Sequence, residues 1–94
     1  MAFVTISHWN ATEISDEMLA TASSQFVPMI MSVGASSVQM VRTGELTMSV
    51  VTHYSDAATA EAAQAKIAEI RSQAASDFPM TMESAHGGEV FGNG

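Results

Sequence analysis

The stretch Val50-Val51-Thr52-His53-Tyr54-Ser55-Asp56-Ala57-Ala58 decides how the chain is read. Val50 to Tyr54 is a β-branched and aromatic run that suits a strand. Ser55-Asp56 then supplies side chains that cap a helix, and alanine, the strongest helix former, follows at once. Farther along, Ala60, Ala63, Ile67, Ile70, Ala74 and Phe78 recur at three- and four-residue steps, which places one apolar stripe on a long helix. Pro79 ends it, because the residue before a proline is pushed out of helical geometry. A strand thus feeds directly into an amphipathic helix, and the segments on either side determine the fold.

On the N-terminal side, Ser36 to Thr43 and Glu45 to Tyr54 are two β-rich runs separated only at Thr43-Gly44, which predicts a tight hairpin. Ahead of them, Phe3 to Trp9 alternates Val4 and Ile6 with Thr5 and Ser7, a first strand. Ser15 followed by Asp16 and Glu17 marks a helix start. Leu19, Ala22, Phe26, Met29 or Ile30, and Val33 form its buried stripe. Pro28 within that stripe predicts a kink or an early end, and Gly34 a left-handed stop. On the C-terminal side, Met80 to Ala85 alternates Met80 and Met82 with Thr81 and Glu83, a fourth strand. The four glycines between His86 and Gly94 predict a loose tail, in which Glu89-Val90-Phe91 could add a short strand. The domain boundaries expected are residues 1–86 for one domain and 87–94 for a Gly-rich tail.

The order β-α-β-β-α-β is that of an α+β ferredoxin-like sandwich. Right-handed crossovers give one antiparallel sheet with strand order 4-1-3-2 and both helices on one face. Strict alternation points Val4, Ile6, Val38, Met40, Leu46, Met48, Val50, Met80 and Met82 at the helices. The opposite parity collects Phe3, Thr5, Ser7, Trp9, Gln39, Val41, Thr47, Ser49, Val51, His53, Thr81 and Glu83. That second set is too apolar to be left wet and too polar for an ordinary core. It suits packing of sheet on sheet with a second copy, around a cavity lined by the polar members. A homodimer is therefore expected.

Composition narrows the partners. Three basic against ten acidic side chains leave a net charge of −7, with nothing to neutralise phosphates or anionic headgroups, so neither nucleic acid nor a membrane surface is expected as a partner. The absence of cysteine removes disulfides, thiolate nucleophiles and Cys-ligated zinc. No leader-like start and no long apolar run occurs, and a cytoplasmic protein is the expectation. Charged residues make up only 14% of a small domain that needs solvating surface, which again argues that another chain covers part of it.

The element order, the Gly34-Ala35 bend before the second strand, and the passage from Val50 through Ala58 resemble the dimeric α+β barrel superfamily. That group includes antibiotic-biosynthesis-monooxygenase-like and EthD-like domains and many small bacterial proteins. The resemblance covers residues 3 to 85 and implies two ferredoxin-like subunits paired through their sheets, each with a cavity between sheet and helices. It implies chemistries such as cofactor-independent oxygenation of aromatic polyketides, without a shared catalytic set. Two readings follow: a monooxygenase-like enzyme acting on an aromatic or polyketide-like compound, or a non-catalytic ligand-binding or oligomerisation module.

Candidate residues come from the mixed face. His53 is a hydrogen-bonding or acid-base group for such a cavity. Glu83, a carboxylate among apolar neighbours, is a candidate general base, with pairing to Arg42 as its ordinary alternative. Trp9 offers a stacking surface for a small hydrophobic or aromatic ligand or an anchor for the second copy, and Ser7, Gln39 and Ser49 supply polar contacts. His8, His53 and His86 have no metal-ligand spacing, and strict alternation sets His53 and His86 on opposite faces unless a bulge near Gly87-Gly88 reverses one. No metal and no cofactor is expected.

Overall fold

Ser15 adopts extended backbone (φ −127°, ψ 159°), and its Oγ accepts from the Met18 N–H at 3.1 Å, which starts the first helix with Asp16 and Glu17 over its positive end. Asp56 does the same for the second, where Oδ1 accepts from both Thr59 N and Thr59 Oγ1 at 2.7 Å. The computed structural model describes all residues Met1–Gly94. Its elements are β1 (Phe3–Ala11), α1 (Asp16–Ser32), β2 (Ser37–Arg42), β3 (Thr47–Tyr54), α2 (Ala57–Asp77) and β4 (Met80–Glu89). The four strands form one antiparallel sheet in the order β2-β3-β1-β4, the expected order read from the other edge. Both helices lie on one face and bury Ala22, Phe26, Ile30, Ala60, Ala63, Ile67, Ile70 and Ala74 against it. No helix is long and apolar enough to cross a membrane.

Several local expectations are corrected. Pro28 does not end α1, because it lies on the exposed side, where water can satisfy the carbonyl that loses its intrahelical donor. The helix stops where Gly34 turns at φ +108°. The β2–β3 turn is a four-residue loop, Thr43 to Leu46, closed by Thr43 N–H to Thr47 O at 3.1 Å. Arg42 braces it, donating to Gly44 O at 3.1 Å and Glu45 O at 3.0 Å.

The fourth strand runs through Glu89, beyond both the expected end at Ala85 and the boundary drawn at residue 86. Its register explains why. Gly87 pairs with Thr5, and the Phe3 ring lies over it so closely that a Cβ there would come within 3.0 Å of Phe3 Cε1. The glycine supplies room for the ring, which in turn covers a strand position with no side chain. Val90 N–H continues the pairing to Ala2 O at 2.9 Å.

The main correction concerns β1. Phe3 pairs with Tyr54 and Trp9 with Met48, all four in the layer beneath the helices, whereas Val4, Ile6 and His8 face the uncovered side. The assignment of Val4 and Ile6 to the helices was therefore inverted. Both sides of β1 carry apolar residues, and the large aromatic rings take the deeper side because they remove more area from water. Expectations for Val38, Met40, Met48, Val50 and Met80 hold, since all pack against the core. Leu46 instead falls in the exposed loop.

Candidate functional site

Between the sheet and the two helices lies a cavity of about 70 Å³. Trp9 closes it from β1, Phe26 from α1, and Met40, Met48 and Met80 from three different strands. The sequence fills this layer with unbranched methionines, whose three rotatable bonds allow the wall to reshape. Its polar lining residues are few: Ser7, Thr52, Arg71 and Ser49, the last with its Oγ turned to His8 Nδ1 on the other face of the sheet. Ser7 Oγ accepts the Trp9 indole N–H at 2.9 Å, which fixes the ring plane.

Arg71 stands apart from the other cations. It is half-buried at the cavity wall, and burial pushes its guanidinium below the usual arginine range, though the charge persists as it does for arginine generally. Burial raises the Tyr54 phenol above its ordinary range, and the nearby Arg71 charge partly opposes this, so Tyr54 is neutral at physiological pH. The chain's ion pair is Lys66 with Glu69 at 3.7 Å, and its guanidinium hydrogen bonds belong to Arg42.

The sequence-derived candidates separate into two groups. Ser7, Trp9 and Ser49 line the cavity. Gln39, His53 and Glu83 do not. Gln39 and His53 lie on the uncovered sheet face, opposite Val51 and Val4 respectively. Glu83 is exposed and accepts from Asn10 Nδ2 at 2.8 Å, rather than pairing with Arg42. It is the extra residue of a β-bulge: His8 faces Ser84 and Trp9 faces Met82, leaving Glu83 unmatched. The bulge reverses the parity of β4 four residues ahead of the glycine pair.

His86 therefore shares the uncovered face with His8 and His53, and the rings of His8 and His86 sit 6.4 Å apart. His8 Nδ1 lies 2.9 Å from Ser49 Oγ. No group of three or more His, Asp or Glu side chains is arranged to hold a metal ion.

Arg71, Tyr54 and Thr52 were not singled out from the sequence. Arg71 left a readable signal, because it follows Ile67 by four residues and precedes Ala74 by three and so falls on the buried stripe of α2.

No protein-family model and no curated protein sequence matches the chain. Solved structures do. A protein of unknown function from Nitrosomonas europaea superposes with a TM-score of 0.73 at 16% identity, over 99% of this chain and 92% of the other. A dimeric ferredoxin-like protein from an uncultured marine organism gives 0.66 at 18%, over 98% and 97%. The fold is ferredoxin-like, as it is in these neighbours. A second Nitrosomonas europaea protein, described as a candidate antibiotic biosynthesis monooxygenase, gives 0.64 at 16%, over 99% and 94%. At these identities the likeness is one of fold, and the cavity residues of this chain have to be read on their own chemistry.

Proposed function

We propose that the protein is a homodimeric, monooxygenase-like α+β barrel that binds a small hydrophobic or aromatic molecule between its sheet and helices. The observation that carries this reading is the cavity itself, apolar on nearly every side, with a few polar groups converging on it, as small-molecule sites are built. Its volume of about 70 Å³ is roughly half that of the ~150 Å³ cavity that admits benzene in an engineered protein core. A ring therefore enters only when Met40, Met48 or Met80 changes rotamer, a displacement that methionine makes at little cost.

Trp9, the single tryptophan of the chain, lines this cavity and reports on it directly. Titration with small aromatic compounds is expected to change its fluorescence saturably. A signal that does not respond to any of them up to millimolar concentration removes the cavity as a ligand site.

Catalysis is the second part of the reading, favoured by the likeness to the candidate monooxygenase. Oxygen uptake by the protein with a bound aromatic compound, in the absence of flavin, haem or metal, is the expected signature. Binding without oxygen uptake leaves a non-catalytic carrier. The polar groups available to such chemistry are those at the cavity, since His53 and Glu83 lie outside it.

A further inference from the structure

A cation partly withdrawn from water is usually given a partner, because desolvation disfavours its charged form and an anion or acceptor offsets that cost. This chain has ten acidic side chains and an excess of seven negative charges with which to pair three cations. Lys66 meets Glu69, although both are largely exposed and gain little by it. Arg42 is held by two loop carbonyls. Arg71 alone is half-buried, lines an apolar cavity, and has no carboxylate within ion-pair distance and no hydrogen-bond acceptor in the chain. The only charged or titratable neighbour it feels is Tyr54, whose neutral phenol carries no charge to balance it.

We infer that Arg71 is an anion-binding group and that the ligand is a small organic acid, its carboxylate on the Arg71 guanidinium and its apolar body against Trp9 and the methionines. This rests on the cavity being the ligand site, as proposed above. A carboxylate suits the site for two reasons. The planar guanidinium fork accepts its two oxygens side by side. The remaining lining is too apolar to hold a second charge, which excludes dicarboxylates and phosphate esters with a further polar group at the far end. The cavity volume favours a body of a few carbon atoms, and a single ring at most once the methionines move.

The test compares matched acids and amides: propionate with propionamide and benzoate with benzamide, by calorimetry and Trp9 fluorescence, on the wild type and on Arg71→Met, Arg71→Gln and Arg71→Lys. At least one acid is expected to bind the wild type tenfold or more tightly than its amide. Arg71→Met and Arg71→Gln should abolish that preference, the acid losing at least tenfold more affinity than the amide loses, and Arg71→Lys should retain part of it. Should the neutral variants fail to fold, the wild-type acid-to-amide ratio and Arg71→Lys still decide the matter. Equal binding of acid and amide to the wild type, or a preference that survives in Arg71→Met, overturns the anion site and leaves the cavity reading intact. No binding of either member of either pair overturns both.

Discussion

The Trp9 indole N–H donates to Ser7 Oγ at 2.9 Å, two residues back along the same strand, and both side chains are at least 95% buried. Residues i and i+2 of a strand share a face, and here that face is the one the helices cover, so the bond satisfies the indole donor within the core. Ser7→Ala leaves the indole donor without a partner in the core. The expected cost is about 1–3 kcal/mol, a fall in Tm of roughly 4–8 °C per kcal/mol for a domain of this size. Thermal unfolding followed by circular dichroism measures it, and an unchanged Tm means the indole finds another acceptor.

That bond also marks where sequence reasoning failed. Elements, order and sheet topology were legible because caps, periodicity and the two stops at Gly34 and Pro79 all agree locally. The face of β1 was not, since Val4 and Ile6 on one side and Phe3 and Trp9 on the other both satisfy a period of two. Size was the neglected signal, as Phe3 and Trp9 bury far more area than Val4 and Ile6. The bulge at Glu83 had no local signature, and it alone moves His86 onto the face of His8 and His53. Of the candidate site, Ser7, Trp9 and Ser49 were drawn to one cavity, whereas Arg71 was passed over because a lone arginine on an Ala-rich helix reads as a solvated residue.

Gly87 and Phe3 form a second testable pair. A methyl group at residue 87 would meet the Phe3 ring at 3.0 Å from Cε1 and 3.1 Å from Cζ, inside ordinary contact distance. Gly87→Ala is therefore expected to destabilise the protein, by about 1–3 kcal/mol if the ring has to shift. In a Phe3→Leu background the same change should cost less, and the difference between the two, read from denaturant unfolding, is their coupling. Additive effects would show that the ring moves aside freely.

Asp56 makes stability depend on acid. Hydrogen bonds from Thr59 N and Thr59 Oγ1 hold its carboxyl below the usual carboxylate range, and these outweigh the small opposing effect of desolvation. A depressed folded-state pKa means that the stabilisation is present above the unfolded value of about 4 and is lost as pH falls through the folded one. Tm of the wild type is thus expected to fall below about pH 4. Asp56→Asn can still cap α2 but cannot titrate there, so the Tm difference between wild type and variant should narrow on acidification. A constant difference from pH 7 to pH 3 would remove Asp56 from the acid limb.

The homodimer is tested at the centre of the uncovered sheet face. Ile6 and Val51 are direct partners on the two inner strands, neither fully covered within one chain, and Val4 and the exposed Val41 extend the same surface. An apolar patch flanked by His8, His53 and His86 matches a surface that another chain covers better than it matches a wet one. A two-fold interface presents the same patch twice, so one substitution places two charges in it. Light scattering of the wild type is expected to give about twice the 9.9 kDa chain mass, and Ile6→Lys to give the single-chain mass with far-UV dichroism retained, since the change lies opposite the helix-packed core. A wild-type monomer removes the dimer. A variant that stays dimeric shows that the copies meet elsewhere, and leaves the three histidines on a solvated face.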